Sequence, residues 1–168
     1  MDHITHQQPG IRHVFRRPRE FVAARYKLFT QHRAQRLYKE NKAREQLQDV
    51  GLNNFDLMKP ETFYIAKILH PNEIIMAAIC GHIENGASAL LVITNTRVMY
   101  LNQIPLFTTL EEIGHGVVEG VTIDIGQFDA KVHLLTGVGN FELRNVNLDA
   151  AETFIEVAEE LALANSRL

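Results

Sequence analysis

The order of hydrophobic periodicities predicts a mainly β domain with α: a seven-stranded barrel or sandwich, capped by one C-terminal helix and preceded by N-terminal helices. Three observations lead there. Short segments rich in β-branched, aliphatic and aromatic residues follow one another at close spacing between residues 74 and 144, separated by Gly- and Asn-bearing turns. Ser88–Asn102 places two of these segments around the polar break Asn95-Thr96, the pattern of a β-hairpin. Beyond residue 147 the period changes, and Ala151, Phe154, Ile155, Ala158, Leu161 and Ala162 recur at helical spacing.

The elements follow in chain order. Met1–Gly10 is polar and Pro18 breaks the basic stretch Arg12–Arg19, so any helix there should be short. From about Arg19 to Asp49 there is neither Gly nor Pro, and Arg, Ala, Gln, Leu, Lys and Glu dominate, all good helix formers. Val22, Tyr26, Phe29 and Leu37 lie near one face, interrupted by Arg33, an apolar seam thin enough to want a partner. Gly51 can stop the helix in the left-handed conformation. Asn53–Lys59 is a connector, and Pro60 with Glu61 opens a short helix to about Leu69. Pro71 pushes His70 out of the helical region and ends it. Strands are expected near Ile74–Ile83, Ala89–Thr94, Val98–Asn102, Leu106–Leu110, Val117–Ile125, Lys131–Thr136 and Asn140–Arg144. Asn147 or Asp149 can cap the final helix. Two regions result: a basic helical arm with its connector, residues 1–59, and the strand-bearing domain with its short leading helix, residues 60–168.

This order of strands and helix resembles a pleckstrin-homology (PH)-like domain, and the residues are similar to the bacterial PH-like group of the YokE type. Leu69-His70-Pro71-Asn72-Glu73 resembles that group's lead-in to the first strand. Thr94-Asn95-Thr96-Arg97 resembles its Thr-Asn-x-Arg hairpin turn within Leu90–Leu101. Gly114–Ile125 resembles the glycine-interrupted middle strand, and Phe141–Val146 the run into the helix. The resemblance covers about Ile68–Ala164 and implies binding of lipids, peptides or proteins rather than catalysis. Lipid-binding relatives grip phosphorylated head groups with basic residues around the first hairpin. Here Ile83–Ser88 carries Glu84, and no Lys or Arg lies between Lys67 and Arg97. A phosphate site needs concentrated positive charge or convergent N–H donors.

Composition narrows the function classes. With 168 residues and 46% hydrophobic content the chain can bury a substantial core. The longest uncharged apolar stretch, Ile74–Ile83, is too short for a helical membrane span, which needs about 20 residues. No apolar leader is seen at the start, and Cys80 is the single cysteine, so the chain reads as cytoplasmic. The net charge of −3 divides into +6 over residues 1–50 and −9 over residues 51–168. Such asymmetry marks a basic arm that meets an anionic partner.

Catalytic and metal signals are thin. His3-x-x-His6 lacks further ligands nearby. Cys80 and His82 project to one strand face, but no third group orients them. Gly137-Val138-Gly139 lacks the third glycine and the helix of a dinucleotide loop and reads as a hairpin turn. His115 sits between two glycines, where a loop histidine is ordinarily unremarkable, although the residue type can serve as a pH sensor. No cofactor is expected, and the chain reads as a non-enzymatic interaction and assembly module whose partner is protein, first of all itself. The arm residues proposed for contact are Arg12, Arg16, Arg17, Arg19, Arg25, Lys27, Arg33 and Arg36. Their docking face, on the same or a neighbouring subunit, is Glu152, Glu156, Glu159 and Glu160. The alternative reading has Arg12–Arg44 bind an anionic surface, nucleic acid or membrane, which would place the protein at the membrane periphery.

Overall fold

The computed structural model describes residues 18–104 and 106–167, with side chains described from residue 27 onward. Two compact units are present, residues 1–35 and residues 36–168. The described part of the first is helical and belongs to α1 (Pro18–Asp49), which starts on Pro18 at its first turn. Pro18 therefore begins the long helix and does not break it; its missing N–H falls where no helical partner exists.

The second unit starts with the end of α1, whose Ala43 and Leu47 are buried. Gly51 at φ +97° closes this helix: its N–H reaches the Gln48 carbonyl and the Leu52 N–H reaches the Leu47 carbonyl, both at 3.1 Å. The connector contains one 3-10 turn, Asp56–Met58, before α2 (Pro60–Ile68). Seven strands follow: β1 (Ile75–His82), β2 (Ser88–Thr94), β3 (Val98–Ile104), β4 (Phe107–Ile113), β5 (Val118–Ile125), β6 (Ala130–Thr136) and β7 (Gly139–Val146). Between β4 and β5, His115–Val117 forms another 3-10 turn. The last element, α3 (Leu148–Asn165), is capped by Asn147, whose side-chain oxygen accepts from the N–H groups of Asp149 and Ala150.

All strand pairs are antiparallel, in the order β4-β3-β2-β1-β7-β6-β5. The β1–β7 junction is a corner: residue pairing there is limited to His82 opposite Arg144. It divides the sheet into a four-stranded and a three-stranded half. Gly81 makes the corner possible, since a Cβ there would lie 2.6 Å from the Arg144 carbonyl oxygen and 3.0 Å from a Val146 methyl. β4 and β5 remain edges, so the barrel is open between them.

Burial explains why β1 and β2 are apolar almost without interruption. Adjacent residues in a strand face opposite ways, yet Ala77–Cys80 and Ala89–Thr94 are all buried. One face lies against β7 and α3. The other lies under the 3-10 turn and α2, with Cys80 close to Lys59 and Asp56. A strand covered on both faces cannot alternate apolar with polar.

α3 packs on β5, β1 and β6 and closes the open side of the bent sheet. Phe154 is its deepest side chain, fully buried beside Ala151 and Ala158. Ile155 departs from the expected apolar stripe: it is only half-buried, because it sits about 100° around the helix from Phe154. Phe154→Ala is expected to lower stability by about 3–5 kcal/mol, the range for losing a buried aromatic ring. Urea unfolding of the full chain measures it, and a loss under about 1 kcal/mol would mean that the ring does not anchor α3.

Candidate functional site

Three places on the second unit combine polar chemistry with defined geometry. The first is internal. Glu73 is 2% exposed and receives hydrogen bonds from the Arg97 Nε and Nη2 (2.9 Å each), the Thr94 hydroxyl (2.7 Å), the Thr96 hydroxyl (3.0 Å) and the His70 N–H (2.9 Å). Arg97 also donates to the Ile68 carbonyl at 3.0 Å and pairs with Glu112 at 2.6 Å. Burial alone would raise the Glu73 carboxyl, but the Arg97 guanidinium and the other donors outweigh it and hold the pKa at about 2.

The second is a cleft of about 540 Å³ between the β1–β2 loop, the middle of β3 and β4, and the start of β7. Tyr100 and Phe141 lie in it with ring centroids 5.1 Å apart. Its polar lining is Glu84, Asn85, Glu111, Asn140 and Glu142. Three carboxylates line this space; Glu142 is paired with Arg144 and, at 3.3 Å, with Lys131.

The third is a groove of about 380 Å³ between α3 and the edge strand β5. Ile123, Ile125, Ile155 and Leu163 form its apolar part. Glu152, Glu156, Glu159 and Glu160 rim it, so the four glutamates singled out from the sequence share one surface.

The basic positions distribute differently. Arg12, Arg16 and Arg17 lie outside the described residues, as does the His3-x-x-His6 pair. Arg19 and Arg25 belong to α1, but their side chains are outside the described set. Lys27, Arg33 and Arg36 are exposed on α1. Large apolar side chains stand exposed among them: Leu28 at 55%, Phe29 at 64%, Leu37 at 50% and Tyr38 at 69%.

The profile of the bacterial PH domain family matches residues 69–160, more than half of the chain. The chain belongs to the bacterial PH domain family. Among solved structures, it is similar to a pleckstrin homology domain from Shewanella amazonensis SB2B, with 16% identity and a TM-score of 0.43 over 60% of this chain and 93% of that one. It is also similar to a DUF1696 family protein with a pleckstrin-homology domain from Shewanella loihica PV-4, with 14% identity and a TM-score of 0.41 over 66% of this chain and 98% of that one. No curated protein matches the sequence.

In this bacterial PH domain the Cys80 thiol is pushed up to about 11 by burial, which outweighs the opposing pull of nearby Lys59. At neutral pH it is protonated and packed, the condition of a structural cysteine. His115 is likewise tied down: its Nε2 lies 2.9 Å from the Thr94 carbonyl, and its own carbonyl accepts from the Asn165 side chain at 2.7 Å. Gly137-Val138 is the turn joining β6 to β7. Among the described residues no three His, Cys, Asp or Glu side chains converge on a possible metal position, and no helix is long and apolar enough to cross a membrane.

Sequence reading missed the Glu73–Arg97 pair, although it quoted both residues as fold motifs. The signal was there in the unpaired signs: Arg97 is the first cation after Lys67, inside an apolar hairpin that offers it no partner. It also missed the apolar floor of the α3–β5 groove: Ile123 and Ile125 alternate with Thr122 and Asp124, the pattern of a half-buried strand, which does not tell whether the apolar side is covered. Ile125 is in fact 71% exposed.

Glu73→Gln is expected to cost stability in a pH-dependent way. The folded-state pKa is depressed, so the carboxylate's contribution is complete above the unfolded value near 4.5 and is lost as pH falls toward about 2. The gap between wild type and variant, of order 3 kcal/mol at neutral pH, should shrink across that window. Parallel urea titrations at pH 7, 4 and 2.5 test this; a gap that is flat with pH would contradict it. For Cys80, native alkylation at pH 7.5 should be slow and should accelerate sharply in denaturant, whereas fast native labelling would show an activated thiol.

Proposed function

We propose that this bacterial PH domain is a non-catalytic interaction module that assembles with further copies of itself through its basic helical arm, Arg12 to Arg36. The exposed apolar side chains Leu28, Phe29, Leu37 and Tyr38, set among Lys27, Arg33 and Arg36, carry the reading. A solvated helix has no use for four large apolar side chains at half exposure or more, whereas a contact helix buries them and uses the charges for orientation. The sign of the remaining chain supports a like partner, since residues 51–168 carry −9 and offer the arm a complementary surface. The cleft at the first hairpin counts against a phosphorylated head group there, because its lining holds no Lys or Arg and Glu84 and Glu111 would repel it.

The test is the native mass of the full chain across salt. Self-association should be present at about 50 mM salt and weaken on raising it, as screening shortens the range of charge attraction to about 3 Å at 1 M. The variant Lys27→Glu, Arg33→Glu, Arg36→Glu should remain folded, since exposed substitutions usually shift stability by no more than about 0.5 kcal/mol each, and should be monomeric. A wild-type chain that is monomeric at low salt but retained by heparin, DNA or acidic vesicles in a salt-sensitive manner would replace this reading with the anionic-surface one.

A further inference from the structure

We infer that the groove between α3 and the edge strand β5 is the seat for the Phe29–Leu37 face of α1 from a second copy. The inference rests on the assembly reading above and adds where the arm lands and which residues meet.

The groove is built for an amphipathic basic helix. Its apolar part comes from two elements, Ile123 and Ile125 on β5 and Ile155 and Leu163 on α3. Ile125 and Leu163 are 71% and 57% exposed, so this surface is uncovered in the chain alone. Glu152, Ile155, Glu156, Glu159 and Leu163 follow the spacing i, i+3, i+4, i+7, i+11, which makes one continuous helix face, with Glu160 at its border. It lies around the helix from the face that carries Phe154 and Ala158 into the core, with Ile155 at the border between the two. Glu152 with Glu156, Glu156 with Glu159, and Glu156 with Glu160 are like-charge neighbours, each pairing unfavourable for the isolated helix. Among the described residues no cation lies against any of them.

The complementary stripe is on α1. Phe29, Arg33, Arg36 and Leu37 stand at i, i+4, i+7 and i+8, again one face, and all are exposed. It runs about 12 Å along its helix at 1.5 Å per residue, within the roughly 16 Å from Glu152 to Leu163. Aromatic and aliphatic side chains at the two ends fit the isoleucine and leucine floor, while two guanidinium groups between them meet the glutamate rim. Arginine suits this place because its planar fork can grip two carboxylates and its stem packs on apolar surface. An arm-to-groove contact joins unlike surfaces of the two copies, so each copy offers both halves.

That property supplies the experiment. Variant A carries Arg33→Glu and Arg36→Glu; variant G carries Glu156→Lys and Glu159→Lys; all are full-length, with circular dichroism as the check on folding. At low salt each variant alone should show a dimer dissociation constant raised at least tenfold over wild type, because positions 33 and 36 of the arm and 156 and 159 of the groove then carry charges of the same sign. An equimolar mixture of A and G should regain association, since the basic arm of G meets the acidic groove of A. The chain bearing all four substitutions should regain it as well. Ile125→Asp, at a side chain already exposed, should weaken association while leaving the fold intact. If A is monomeric but G and Ile125→Asp associate as wild type, the groove is not the seat, although the arm still drives assembly. If A associates as wild type, the assembly reading falls and this inference with it. If G is monomeric yet neither the mixture nor the four-fold variant regains association, the glutamates do not meet Arg33 and Arg36, and the inference is overturned.

Discussion

The buried ion pair between Glu73 and Arg97 is the constraint on which the first half of the domain depends. Two isolated charges placed at such depth would be strongly unfavourable, and a pair offsets this only when every remaining donor and acceptor is met. Here the carboxylate is fully met: Glu73 collects bonds from Arg97, both hairpin threonines and the His70 backbone. Arg97, partly open to solvent, places further donors on the Ile68 carbonyl and Glu112. The turn Thr94–Arg97 thereby becomes a hub that touches the end of α2, the lead-in to β1, and β4. Asn95 extends it by exchanging two 2.9 Å bonds with the Ile74 backbone, and His115 reaches the Thr94 carbonyl from the turn after β4. Shifting the β2–β3 register by one residue would leave a carboxylate and a guanidinium buried without partners. The network therefore specifies register as much as it stabilises.

With that corner set, the rest of the architecture follows from coverage. β1 and β2 are apolar on both faces and must be roofed twice, by α2 with its preceding turn on one side and by α3 with β7 on the other. α3 is then committed: its Phe154 face fills the open side of the bent sheet, and whatever lies around the helix from Phe154 is left outside. The edge strand β5 is covered only as far as α3 reaches, which leaves Ile125 in solvent. The exposed groove is thus a by-product of how one helix plugs seven strands that do not close into a ring.

Charge separation along the chain fits this geometry with an interaction role. Cations collect on α1 among exposed apolar side chains, while carboxylates collect around the first-hairpin cleft and along α3. Both acidic places are mixed surfaces, aromatic in one case and aliphatic in the other. Desolvating a carboxylate beside apolar side chains strengthens its attraction for a cation, so such surfaces discriminate by sign more sharply than an open acidic face does.

The sequence by itself determined the order and type of the elements, because these rest on local physics. Period-2 and period-3.6 patterning, the Gly51 stop, the Asn147 cap and the turn residues each act over a few neighbours, and all seven strands lie within about three residues of where that patterning puts them. It also identified the family, since the Leu69–Glu73 and Thr94–Arg97 segments are short and continuous. Tertiary structure alone decided what those segments do to one another. Glu73 and Arg97 are 24 residues apart in the chain, and only the folded hairpin brings them to 2.9 Å. It alone decided that Ile125 is left exposed and Ile155 only half-buried, because apolar spacing reveals that a side chain can be buried but not whether another element arrives to cover it. The four glutamates were legible as one helix face; that they enclose an apolar groove was not, because half of its floor comes from a strand some 30 residues earlier.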